Sequence, residues 1–462
     1  MTDLIIRGAL VHGPAGGRRS DVRVHGGRIA EVGHVRSHPG EATVVDGTGL
    51  WLLPGAIDAH VHSRDPGFPE KETFETLTTA AACGGVTTIA DMPNTIPAVS
   101  SAPVLEEKVE HLSGRARVDF ALWGALRQPS TEDDVRGLVE AGVIGIKAYL
   151  GYAVRRDNDQ IVYTTDGGPD LEAPPDYGTI ARMAPLLARD GMPLAVHAED
   201  PGVLRTFQRP VHTYGDLLAS RPAVAEAVAV AALGAIAKES GCRIHVVHLS
   251  SAAGLAAARI AIAGGAPLVV ETCPQYLLLT EQDVAPLGPV GKMFPPIRTA
   301  ADRRALQEGL LAGTITRIAT DHAPHETALK TGSSLGEAGA GSPGVETVYL
   351  AALEVARELG LGPEAGVQWL SEAPARALRL AGQKGAIRAG LDADLVLLDP
   401  TQETLATAER MHSRQPLGVF TEHRFRGAIR AVWSRGELVA ENGRPVGPPG
   451  QGRFLRPGPV SL

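Results

Sequence analysis

The strongest constraint on this chain is an alternation that runs from residue 55 to about residue 324. Short apolar runs read as strands at 55–62, 86–92, 117–126, 144–150, 193–200, 242–250, 268–274 and 315–324. Alanine-rich helical patterns lie between most of them, as at 71–82, 132–141, 223–238 and 302–311. Eight such strands with helices between them predict a (β/α)8 barrel, an α/β fold whose active site lies at the C-terminal strand ends. An open doubly wound sheet is the alternative, weakened because no G-x-G-x-x-G follows the first strand. Two stretches break the rhythm, 152–177 and the Gly- and Ser-rich 330–342. Both read as long loops of the kind that make lids or binding loops.

The two ends of the chain follow another pattern. Before residue 55, Leu4-Ile5-Ile6, Val22-Arg23-Val24, Arg28-Ile29-Ala30-Glu31-Val32 and Thr43-Val44-Val45 read as short strands between Gly-, Pro- and Asp-rich turns. The pattern returns at 393–399, 429–433 and 437–439. The N-terminal unit is too small for a good core alone. The simplest reading is one small β domain built from residues 1–54 and 385–462, beside a barrel at 55–384.

Bulk properties fit a soluble enzyme. Of 462 residues, 44% are hydrophobic and 21% charged, enough for a large core in one big domain or two. A net charge of -8 argues against nucleic acid or an anionic membrane as partner. Cys83, Cys242 and Cys273 are odd in number and far apart, with no C-x-x-C. Neither a disulfide framework nor a cysteine zinc site is indicated, and a reducing, cytoplasmic location is expected. Residues 1–10 carry Asp3 and Arg7 and lack an apolar h-region, so no signal peptide is read. The most apolar helix, at 223–237, contains Glu226 and reads as too short and too weakly apolar to cross a bilayer.

The first barrel strand ends in His60-Val61-His62. Two residues apart on a strand, both imidazoles leave the same face, and together they can grip one metal ion. An isolated H-x-H is more often chance, or a half-exposed surface pair. Here further candidates end later strands: Lys147 in Gly145-Ile146-Lys147, His197 in Leu194-Ala195-Val196-His197, His248 in His245-Val246-Val247-His248, and Asp321 in Ile318-Ala319-Thr320-Asp321. Each has an ordinary reading, as a snorkelling lysine, a satisfied core histidine or a turn aspartate. His245 and His248 are three apart and face opposite ways, so at most one joins a site; His248 lies nearer the strand's C-terminal end. Taken together, histidines on three strands and an aspartate on the last, all at one end, are hard to reach by chance.

Neutral imidazoles and carboxylates bind divalent transition ions, zinc above all. A free ammonium cannot coordinate. A lysine carboxylated by CO2 becomes a two-oxygen anion able to bridge two metals. A shared hydroxide would then be the nucleophile. Asp321 could ligate one metal and carry the hydroxide proton to the leaving nitrogen. Asp166, in Thr164-Thr165-Asp166, is a reserve candidate for the bridge.

Longer motifs add a resemblance. They are Asp58-Ala59-His60-Val61-His62-Ser63-Arg64-Asp65-Pro66-Gly67, Lys71-Glu72-Thr73, Gly84-Gly85-Val86-Thr87-Thr88, Met92-Pro93-Asn94-Thr95, Lys292-Met293-Phe294-Pro295-Pro296-Ile297-Arg298 and Ala319-Thr320-Asp321-His322-Ala323-Pro324-His325. Over nearly its whole length the chain resembles the amidohydrolase superfamily, and within it the cyclic amidases: dihydroorotase, allantoinase and hydantoinase. The resemblance implies a barrel with a β-sandwich made from both termini. It implies two Zn2+ per chain, bridged by hydroxide and carboxylated Lys147, with His60, His62, Lys147, His197, His248 and Asp321 as ligands. It also implies a small cyclic amide as substrate; the expected assembly is a homo-oligomer, dimer or tetramer.

The ring is read from fewer residues. Dihydroorotate carries a carboxylate beside its ring amide; hydantoins and 5,6-dihydrouracil do not. Arg64 leaves the same strand-end region as His62, and its planar fork suits a carboxylate. In dihydroorotases the residues matching Arg64, Asn94 and His325 contact the substrate, whereas allantoinases usually lack the arginine. The expected activity is therefore dihydroorotase, interconverting dihydroorotate and N-carbamoyl-L-aspartate in pyrimidine biosynthesis. Allantoinase or hydantoinase (dihydropyrimidinase) is the alternative. Glu271-Thr272-Cys273-Pro274-Gln275-Tyr276-Leu277, and Arg221-Pro222 followed by Ala225-Glu226, resemble that branch. Phe294 stands where bacterial dihydroorotases commonly have asparagine. A non-catalytic paralogue acting as a scaffold is a third reading, disfavoured because such relatives lose metal ligands and all six are kept here.

Overall fold

The structure, a computed structural model, describes residues 3–13, 16–36 and 42–459. The parts of the expected end domain at 1–2, 14–15, 37–41 and 460–462 lie outside the described residues. Eight parallel strands form one sheet: β1 (Ala56–Val61), β2 (Val86–Asp91), β3 (Asp119–Ala125), β4 (Gly145–Tyr149), β5 (Leu194–His197), β6 (Ile244–Val246), β7 (Leu268–Thr272) and β8 (Arg317–Ile318). Each strand pairs with the next in chain order, which excludes the doubly wound arrangement. Beyond β8, His322 bridges Val61 in parallel, and its carbonyl accepts from His62 N at 2.8 Å. Thr320 N and Oγ1 donate to the Asp58 carboxylate at 3.1 and 2.6 Å. These bonds join last strand to first and close the barrel.

The strands are apolar on both faces because both faces are covered. Outward residues such as Ile89, Phe120 and Val196 share a core with Phe74, Leu138 and Leu233 of the surrounding helices. Inward residues such as Ile57, Ala90 and Trp123 pack with Leu380 and Leu455 in a second core. The helices start where the sequence offers a cap. The Thr131 side chain accepts from Asp134 N at the start of Glu132–Ala141, and Gly142 (φ 102°) ends that helix in the left-handed region.

Three expectations change. Residues 152–177 are not a plain loop. They hold a three-stranded antiparallel sheet of Tyr152–Arg155, Ile161–Tyr163 and Leu171–Glu172. Strands of two to four residues are too short to show a period in the sequence. Arg127, just after β3, fastens this sheet through Asp159 at 2.9 Å and Glu172 at 2.7 Å. The stretch around 330–342 begins inside a short helix, Thr327–Gly332, and Lys330 Nζ donates to the Lys292 carbonyl at 3.0 Å. The apolar stretch at 223–237 extends to Tyr214–Ser240, long and apolar enough by composition to cross a membrane. It is two helices separated at Arg221 and Pro222, and its Ala229, Leu233 and Ala237 lie in the barrel core.

The two chain ends form a nine-stranded mixed sheet. They meet where Leu395–Leu405 pairs antiparallel with Trp51–Pro54. Leu4, Ile6, Val24, Leu395 and Trp433 contribute to its own core. Buried Lys384 ties it to the barrel, its Nζ lying 2.6 Å from Asp394 and 2.8 Å from Asp119 at the start of β3.

Candidate metal centre and active site

A cavity of about 620 Å³ opens at the C-terminal strand ends. His60, His62, Lys147, His197, His248 and Asp321 all line it, as do Arg64, Asn94 and His325. Five of the six candidate ligands fall into two groups. In the first, Asp321 Oδ1 lies 3.0 Å from His62 Nε2 and 3.3 Å from His60 Nε2. In the second, His197 Nδ1 and His248 Nε2 face each other at 3.0 Å. The His60 and His248 rings, 5.4 Å apart, connect the groups. Lys147 stands in the middle of the buried strand β4, and among the described residues its Nζ and the His248 Nδ1 have no hydrogen-bond partner.

Electrostatics favour the metal-binding protonation states. Burial pushes His62 down to about 4 and His248 well below its ordinary value, so both imidazoles are neutral near pH 7. Burial also lowers Lys147 to about 7. Burial alone would raise Asp321, but the neighbouring His60 and His62 imidazoles hold it well below the usual carboxylate range. Neutral imidazoles, a carboxylate and an orphaned amine fit divalent metal. Arg64, His248 and Asp321 take left-handed φ values of 60°, 39° and 51°, strain of the kind that gathers at functional sites.

Outer partners fix the ring orientations. His60 Nδ1 meets Glu271 Oε1 at 3.1 Å, and Glu271 Oε2 meets His245 Nε2 at 3.0 Å. His245 thus stays out of the cavity, as its spacing predicts, and supports His60 from behind. His197 Nε2 meets Glu199 Oε2 at 3.0 Å. Asn94, expected against substrate, accepts from His62 Nδ1 at 2.6 Å, which leaves its amide nitrogen free to donate to a ligand. Such partners choose which nitrogen faces a metal. Glu199 and Glu271 were missed from sequence. Glu199 repeats the two-residue spacing of His60 and His62. Glu271 is a carboxylate inside buried β7, a placement that demands a partner. Asp166 lies on the rim, exposed and 3.3 Å from Arg205, so the reserve reading of it as a buried bridge does not hold.

The remaining walls are of two kinds. Arg64 Nη2 lies 3.5 Å from His325 Nε2, and its buried Nε has no partner among the described residues. Opposite in character is an aromatic wall of Tyr152, Tyr163 and Phe294. There the Arg221 guanidinium sits 3.7 Å from the Phe294 ring centre and donates to Glu199.

The amidohydrolase family model matches residues 51–439. An allantoinase from Rubrobacter xylanophilus is 37% identical over 98% of each chain. A dihydroorotase from Anoxybacillus flavithermus is 33% identical over 92% of this chain and 95% of its own. The solved L-hydantoinase (dihydropyrimidinase) of Arthrobacter aurescens matches with a TM-score of 0.90 at 28% identity, covering 99% of this chain and all of that one. The chain belongs to the amidohydrolase family. Within that family it falls in the cyclic amidase branch, and it is a hydrolase of C–N bonds in cyclic amides.

Proposed function

We propose that this enzyme opens the ring of a neutral cyclic ureide, allantoin first and hydantoins next, with two zinc ions. The aromatic wall carries the choice of ring. Its guanidinium, Arg221, is already paired with Glu199, so Phe294 and Tyr163 offer a flat, uncharged ring no free cation. The full-length likeness to allantoinases supports the same ring. Dihydroorotate is the second reading, favoured by the unpartnered Nε of Arg64 beside His325. In the allantoin reading the same guanidinium takes the carbonyl of the ureido arm.

His60, His62 and Asp321 would hold one zinc and His197 and His248 the other, with Lys147 between them as a carbamate. The unpartnered Nζ of Lys147, lowered to about 7 by burial, supports that role, because CO2 adds to a neutral amine with release of a proton. The bound ions would supply an activated water and polarise the ring carbonyl. Asp321 accepts the proton of that water at its carboxylate and returns it to the leaving ring nitrogen. Arg64, His325 and the Asn94 amide orient the ring.

The deciding experiment is a panel of allantoin, hydantoin, 5,6-dihydrouracil and dihydroorotate on zinc-loaded protein. A kcat/KM higher for dihydroorotate than for allantoin would reverse the two readings. Elemental analysis should find two zinc ions per active chain; active protein with trace metal only would end the zinc mechanism.

Arg64→Met separates the readings further. The guanidinium is charged in both readings, so either bond contributes about 1.5–3 kcal/mol, but only a carboxylate completes a two-bond ion pair and reaches the upper end of that range. KM for dihydroorotate should therefore rise by roughly two powers of ten, and KM for allantoin by about one. Equal rises for both substrates would mean that Arg64 reads no carboxylate.

A further inference from the structure

Arg221 lies in the cavity wall, just before the helix Ala223–Ser240, and is only 2% exposed. Its Nε donates to Glu199 Oε1 at 3.2 Å, and its Nη2 makes a closer contact with Glu199 Oε2. The same Oε2 takes the hydrogen bond from His197 Nε2. On its other side the guanidinium lies 3.7 Å from the Phe294 ring centre and 4.7 Å from that of Tyr163. The two rings are themselves 5.0 Å apart. Tyr163 belongs to the small sheet Tyr152–Glu172 beside the mouth, and Tyr152 of that sheet sets its ring edge-on to His197 at 5.1 Å. The Arg221 carbonyl accepts from Arg298 Nη1 at 2.8 Å, which fixes the backbone beneath.

Neutralising Glu199 would need only a cation. The stacked rings and the backbone anchor ask for a planar one held in a single orientation. The geometry points to Arg221 as a positioning residue that aims His197 at the metal centre through Glu199 and at the same time latches the small sheet beside the mouth through Tyr163 and Phe294. This inference rests on the metal reading above. Without the guanidinium, Glu199 keeps His197 as its remaining side-chain partner and loses the clamp on its second oxygen. His197 is then free to turn. Tyr163 loses the cation it lies against, and the sheet, still fastened by Arg127, loses its hold at this end. Cover and ligand geometry should therefore loosen together.

The test compares wild type, Arg221→Met and Arg221→Lys by two readouts that need no turnover. The first is elemental analysis during titration with a chelator such as dipicolinate. The second is limited trypsin cleavage at Arg155 and Arg156, which are exposed where a strand of the small sheet runs into its turn. Arg221→Met should release one of the two metal ions at roughly 10–100-fold lower chelator, the usual effect of losing an outer partner of a ligand. Its turn should be cut faster, and Arg221→Lys should restore neither property fully. If either readout stays at its wild-type value in folded Arg221→Met, the coupling is overturned. Tyr163→Leu keeps the buried charge pair and serves if Arg221→Met does not fold. It should speed cutting and loosen the same ion, and unchanged metal release in it would equally overturn the inference. Wild type holding no metal would count against the proposed function; wild type holding two, with an unresponsive Arg221→Met, counts against Arg221 alone.

Discussion

Asp321→Asn should lower kcat by roughly 10²–10⁴-fold, the usual share of a general acid–base group, and by more if metal leaves with it. The reason lies at Oδ1, which sits 3.0 Å from His62 Nε2 and 3.3 Å from His60 Nε2. Burial alone would make this carboxylate a poor anion, but the neighbouring His60 and His62 imidazoles keep it ionised near neutral pH. An ionised carboxylate accepts a proton from water; the amide of the same shape cannot. The measurement is kcat together with metal content in one preparation. A variant within a few-fold of wild type, with both ions in place, would take Asp321 out of proton transfer.

Lys147→Ala should lose nearly all activity, because it removes the side chain proposed to stand between the two ligand groups. The structure gives its Nζ no hydrogen-bond partner among the described residues and only the Tyr149 ring, 5.0 Å away, so no hydrogen bond within the protein explains a lysine buried there. An ordinary buried lysine would be paired or reach solvent. Short carboxylic acids, which bring back two oxygens in the space left by the side chain, should return part of the activity and part of the metal. Full activity without the lysine, or no metal loss in its absence, would place the bridge elsewhere.

Much of this architecture was legible in the sequence because the barrel repeats one local rule eight times. The candidate ligands came from the same rule, since strand ends are where such a barrel keeps its chemistry. What escaped was decided by tertiary contacts. The small sheet at Tyr152–Glu172 has strands too short for a period, and Arg127 fastens it from another part of the chain. Asn94 lines the cavity, and that its oxygen goes to His62 is an allocation that only three-dimensional proximity decides. The left-handed backbone at Arg64, His248 and Asp321 had no glycine or asparagine to announce it. Glu226, too, looked like little more than a charge in an alanine-rich helix. It lies buried, accepting from Ser250 N at 2.9 Å and from the Ser250 and Ser251 hydroxyls.

The barrel closes where Asp58 meets Thr320, residues 262 apart in the chain. Ends that distant are found late by a folding chain, since the entropy of closing such a loop is on the order of 5 kcal/mol. His60 and His62 stand on one lip of that joint and Asp321 on the other. An ion gripped by all three would therefore be a clasp across that gap as well as a reagent. A half-synthesised chain has neither the clasp nor the chemistry. Metal should therefore enter only at the end of folding, and its removal should be felt first as an opening between the first strand and the last.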